Sequence, residues 1–201
     1  MKKVEFYYDL VSPFSYLAQT QIDRVRDETG AEISWRPMLL GAVHKLSGNS
    51  APITVPAKGR YSFKDIHRWA AHYGASLQFP EAFPFKTITT MRAAVFCEER
   101  GKLEEFTREA FKMYWEDGNS PDGLEADESG HVSEVARRIG MEPEEVLEGA
   151  SEQRVKDKLK NETERAVERG VFGAPAFFVG DEMFWGNDRL HFVEGALAGK
   201  A

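Results

Sequence analysis

The chain has 201 residues, 42% of them hydrophobic and 29% charged, with a formal net charge of −7 and a pI near 5.4. That length accommodates one large domain or one domain carrying an insertion, and the acidic balance argues against nucleic acid or an anionic membrane as partner. A single cysteine, Cys97, leaves no internal disulfide, no Cys-x-x-Cys pair and no cysteine-rich metal site. No run approaches the ~20 apolar residues of a membrane span. Lys2-Lys3 leads straight into an alternating segment and not into a signal peptide, so the expectation is a cytoplasmic protein without a bound metal.

Val4 to Tyr8 is aromatic-rich and mostly apolar, as a central buried strand is. Asp9 to Leu17 follows, with Ser12 as N-cap and Pro13 at the first position of a helix expected to run through Val25 and end near Gly30. Ala31 to Arg36 alternates and Pro37 closes it as a second strand, parallel to the first. Gly41 to Gly59, with Gly48-Asn49, Pro52 and Pro56, reads as a long loop, and loops of that length inside a compact domain are usually functional.

From Tyr61 the apolar period becomes helical. Ile66, Trp69, Ala70 and Tyr73 precede Gly74; Met91, Val95 and Phe96 precede Gly101; Phe106, Ala110, Met113 and Tyr114 share a face. Asp117 to Gly130 reads as a surface connection, followed by helices over Val132 to Ile139, from Pro143, and from about Arg154 to Arg169. Ala176 to Val179 and Met183 to Trp185 flank the turn Gly180-Asp181, and a last helix runs from Arg189 to Leu197 with Asn187 or Asp188 as its cap. The order β-α-β, helices, β-hairpin, helix predicts an α/β thioredoxin-like domain formed by 1–60 and 171–201, with an all-helical insertion over 61–170. His44 falls in the long loop, and Cys97 on an apolar helix face reads as a packed residue.

Four motifs carry a resemblance along the chain. Ser12-Pro13-Phe14-Ser15-Tyr16 stands where thioredoxin-fold oxidoreductases carry Cys-x-x-Cys, and Gly173-Ala174-Pro175 before a strand looks like their cis-proline element. Trp185-Gly186-Asn187-Asp188-Arg189-Leu190 resembles the signature of 2-hydroxychromene-2-carboxylate isomerases. Ser47-Gly48-Asn49 and Val55 to Tyr61, with Asp65 and Arg68, resemble the kappa-class glutathione transferases, a sister family with the same DsbA-like fold.

The resemblance implies glutathione as cofactor, an aromatic or electrophilic small-molecule substrate, and a possible homodimer. Serine at 12 excludes disulfide exchange there, and its hydroxyl would activate the glutathione thiolate by hydrogen bonding. Ala174, ahead of Pro175, would pair with the cysteinyl backbone. Asp188 would take the γ-glutamyl ammonium, and the amides near Gly186, Asn187 and Asp188 its carboxylate. Asn49 and Lys58 match positions near the glycyl end and the mouth of the site. In the isomerases the thiolate adds to a conjugated alkene of an aromatic pyruvate, rotation follows, and thiol loss gives the trans isomer. His44 and Trp185 belong to the substrate side, with His44 where the isomerases carry lysine. Two other readings stand beside this one: a kappa-like transferase conjugating electrophiles, and a redox-inactive thioredoxin-fold binding module.

Overall fold

The computed structural model describes residues 2–199; Met1, Lys200 and Ala201, at the outer edges of the expected thioredoxin-like part, lie outside the described residues. Four strands form one sheet: β1 (Lys3–Tyr8), β2 (Glu32–Pro37), β3 (Ala176–Val179) and β4 (Glu182–Trp185), in the order β2-β1-β3-β4. β1 and β2 are parallel, with Phe6 opposite Trp35, and β3 runs antiparallel to both β1 and β4. β1 lacks polar alternation because both its faces are covered. Val4, Phe6 and Tyr8 enter the main core, where Phe6 stacks on Phe177 at 5.0 Å, while Tyr7 joins Met38, Val43, Val171 and Phe178 on the other side.

The expected helix from Pro13 to Val25 is two helices, α1 (Pro13–Gln19) and α2 (Ile22–Thr29). Neither Gly nor Pro marks the break. Thr20 makes it by donating its hydroxyl to Leu17 O at 2.7 Å, while Gln21 N–H turns to Ala18 O at 3.0 Å.

The long loop expected over Gly41 to Gly59 is largely helical. It holds α3 (Leu40–Ser47), a 3-10 turn (Pro52–Thr54) and the start of α4 (Pro56–Tyr73). Each proline that suggested a loop sits in the first turn of a helical segment, where its missing N–H costs nothing. His44 therefore lies in the last turn of α3, not in a loop.

Five further helices precede β3: α5 (Ile88–Glu98), α6 (Leu103–Trp115), α7 (Ser129–Arg138), α8 (Pro143–Ser151) and α9 (Gln153–Glu168). α10 (Leu190–Leu197) follows β4, and no helix among the described residues is long and apolar enough to cross a membrane. The main apolar cluster is continuous from Phe6 and Tyr8 of the sheet to Phe111, Met113 and Trp115 of α6. Trp115 carries its indole N–H to Leu10 O at 2.9 Å, so the helical part is joined directly to the loop after β1.

The connection from Asp117 to Gly130, expected at the surface, contains a buried carboxylate. Glu128 accepts from Thr89 N at 3.0 Å, Thr90 N at 2.8 Å and Thr90 Oγ1 at 3.0 Å, satisfying amides that the first turn of α5 leaves open. Three donors thus converge on one carboxylate at the N-terminal end of α5. Glu128→Ala is expected to cost about 2–4 kcal/mol, read as a lowered urea midpoint with unchanged slope.

Candidate active site

Asp9 directly follows β1 and is almost completely buried. One carboxylate oxygen accepts from Val11 N at 3.1 Å and Thr87 Oγ1 at 2.8 Å, and the other from Leu40 N at 2.7 Å. Its backbone oxygen accepts from Ser12 N at 3.0 Å. One side chain thus joins the loop before α1, the start of α3 and the residue ahead of α5. Burial pushes its pKa above the ordinary carboxylate value, against the pull of the three donors. The sequence reading gave Asp9 no role; the available signal was a charged residue closing an apolar strand.

The loop so held delivers Ser12 as the N-cap of α1, only 4% exposed. Its Oγ accepts from Ser15 N at 3.1 Å and donates to Ala174 O at 3.4 Å. The Ala174–Pro175 peptide is cis, as the motif implied. No histidine or carboxylate hydrogen-bonds Ser12 among the described residues, so nothing activates it as a nucleophile of its own.

The other expected residues gather on the same cis-proline loop. Asn49 donates to Phe172 O at 2.8 Å, and Gly186 N donates to Pro175 O at 3.0 Å. Trp185 is 48% exposed and lies against Phe172 at 4.8 Å between ring centroids. A Cβ on Gly173 would stand 2.7 Å from the Trp185 indole nitrogen, so that glycine admits the ring.

Neither Asn187 nor Asp188 caps the last helix, contrary to expectation. Asn187 to Arg189 form a 3-10 turn entered through Gly186 at φ 108, and no side-chain cap bond is made. Asn187 is buried, exchanging hydrogen bonds with Tyr73 of α4, while Asp188 pairs with Arg189 at the surface. The amides of Asn187 and Asp188 open the 3-10 turn, where the first N–H groups have no intrahelical partner, and the Ala174 amide precedes the cis-proline.

Two of the expected residues stand apart. His44 is half-buried and Lys58 is exposed in the first turn of α4; neither makes a hydrogen bond or ion pair with the group above. Burial lowers the His44 pKa, so the imidazole is neutral at pH 7. Cys97 is buried on α5 with its thiol toward Met141 Sδ at 3.7 Å, and burial pushes its pKa up to about 12. It is not a reactive thiol.

The sequence model of the DSBA-like thioredoxin domain matches residues 3–198. A 2-hydroxychromene-2-carboxylate isomerase of Sphingobium xenophagum is 32% identical over 198 residues, spanning 98% of each chain. The chain belongs to the family of the 2-hydroxychromene-2-carboxylate isomerases and kappa-class glutathione transferases, within the DSBA-like thioredoxin domains. Human glutathione S-transferase kappa 1 stands on the other side of this family of enzymes, 30% identical over 216 residues that cover 99% of this chain and 92% of that one. A solved structure of a 2-hydroxychromene-2-carboxylate isomerase superposes with a TM-score of 0.86 at 30% identity, covering 98% of this chain and 95% of the other. The chain carries a cis-proline loop whose Ala174 carbonyl faces Ser12.

Gly186 has a backbone conformation open essentially to glycine, and a methyl group there would collide with the Asp188 carboxylate. Gly186→Ala is expected to cost about 1–3 kcal/mol, read by thermal denaturation. The lowered His44 pKa gives a second expectation. Its native form resists protonation, so its contribution to stability is present above the unfolded value of ~6.5 and is lost as pH falls through the folded value. Titrating stability against pH should show a larger acid-side loss in wild type than in His44→Gln, which keeps the loss due to His131, whose pKa burial also lowers.

Proposed function

We propose that this chain is a glutathione-dependent isomerase acting on aromatic pyruvates like 2-hydroxychromene-2-carboxylate, with Ser12 activating the glutathione thiol. One observation carries the reading: the Ser12 hydroxyl, free of any base, faces the cis-proline loop at a hydrogen bond of 3.4 Å, long enough to be redirected at little cost. The surrounding residues fit glutathione. The open amide of Ala174 supplies a main-chain donor for the cysteinyl unit, and the open amides of Asn187 and Asp188 suit the γ-glutamyl carboxylate. The Asp188 carboxylate, paired at the surface with Arg189, can exchange that pairing for an ammonium. Asn49 and Lys58 are assigned to the glycyl end.

When bound, glutathione supplies a thiolate able to add reversibly to a conjugated double bond and so permit rotation about it. Ser12 lowers the thiol pKa by donating a hydrogen bond to sulfur; one unit corresponds to ~1.4 kcal/mol and about tenfold more thiolate at neutral pH. Trp185 and His44 belong to the substrate side. A second reading, a kappa-like transferase, is favoured by one feature: neutral His44 offers no fixed positive charge to a substrate carboxylate. Kinship also implies a homodimer, for which exposed Ile53, Val55, Tyr61 and Phe63 provide an apolar face; light scattering in solution tests it.

Turnover of the chromene substrate should require glutathione, and equal rates without it would overturn the mechanism. Ser12→Ala should keep stability within about 1 kcal/mol while raising the bound-thiol pKa by about one unit, followed by ultraviolet thiolate absorbance. His44→Lys should raise kcat/KM for the carboxylate substrate. Conjugation of a chloronitrobenzene by wild type, without isomerisation, would select the transferase reading.

A further inference from the structure

We propose that Tyr73 is a positioning residue that sets the preference for the γ-glutamyl end of the thiol by holding the Gly186–Asp188 segment in place. The inference rests on the glutathione reading above. The segment leaves the sheet at Trp185 and turns through Gly186 at φ 108, tied locally by Gly186 N to Pro175 O at 3.0 Å and Arg189 N to Gly186 O at 3.2 Å. Those ties, and the bond from Leu190 N–H to Asn187 O that closes the 3-10 turn, hold the segment locally. The constraint from outside is Tyr73, the last residue of α4 and 114 positions away in the chain.

Its hydroxyl donates to Asn187 O at 2.9 Å and accepts from Asn187 Nδ2 at 3.4 Å, gripping the backbone and side chain of one residue together. Asn187 is 2% exposed, so water has little access to replace either bond. The Tyr73 ring is braced by Trp69, one turn earlier on α4, at 5.2 Å between centroids. Burial raises the phenol pKa, so the hydroxyl remains a donor across the neutral range. With its side chain committed to Tyr73, Asn187 contributes its main-chain amide, and that amide and the one at Asp188 share the orientation Tyr73 imposes. Ser12 and Ala174 make no hydrogen bond to Tyr73 among the described residues. Loss of the clamp should therefore weaken thiol binding without changing thiol activation.

The test compares glutathione with cysteinylglycine, which keeps the thiol and glycyl end but lacks the γ-glutamyl group. Wild type should favour glutathione in kcat/KM. Tyr73→Phe should shrink that preference about fivefold or more, raising KM for glutathione with kcat unchanged, while cysteinylglycine kinetics stay as in wild type. A general structural defect would depress both thiols alike, and that result would overturn the proposal. Asn187→Ala should give the same shrinkage, and the double variant no more than either single change. If Tyr73→Phe does not fold, the ratio in Asn187→Ala decides, and an unchanged ratio overturns the proposal. Wild type binding neither thiol in calorimetry overturns the functional reading and this proposal together. A wild-type preference for glutathione that Tyr73→Phe retains removes the role of Tyr73 alone.

Discussion

The buried carboxylate of Asp9 brings three distant stretches of chain to one point, and the geometry of the candidate site follows from it. Leu40 N–H and the Thr87 hydroxyl reach it from 31 and 78 residues away, while Val11 N–H and Ser12 N–H fold the local loop around the same residue. Without an acceptor there, the first turn of α3 and the approach to α5 would each bury an unpaired donor. Because these donors meet at the residue that follows β1, the position of Ser12 is coupled to the helices packed around the sheet.

A similar device recurs elsewhere in the helical part. Glu128 closes the start of α5, and Trp115 carries an indole N–H from α6 to Leu10 O beside the site. Tyr73 reaches from α4 to Asn187. The Trp115 and Tyr73 contacts each join a helix between β2 and β3 to the chain just after a strand, across a continuous apolar core. Packing supplies most of the cohesion, and these directed bonds set the register of helix against loop.

At the site itself, the scaffold presents hydroxyls and main-chain groups. Ser12 and Ser15 retain the hydrogen bond that caps α1, and the cis-proline loop still faces them, yet no thiol is present there. The lone cysteine is sealed in the core. A fold shared with disulfide oxidoreductases thereby offers a hydroxyl facing the cis-proline loop, the arrangement on which the proposed thiol reading rests.

Much of this was legible in local chemistry. The apolar run of β1, the alternation in β2 and the turn at Gly180-Asp181 specified the strands, because side-chain period and turn geometry are local properties. Ser12-Pro13 specified a helix start for the same reason, and Gly173-Ala174-Pro175 marked the loop opposite. Local pattern failed where a distant group does the work. α3 looked like loop because part of what completes its first turn is the carboxylate of Asp9, and α1 breaks from α2 at a threonine that no punctuation distinguishes. Asn187 looked like a cap, but its burial against Tyr73 commits it to another helix. Residue order determined which elements form and which chemical groups the chain carries. Their meeting depends on hydrogen bonds between residues far apart in the chain, whose partners exist only once the core has brought them together.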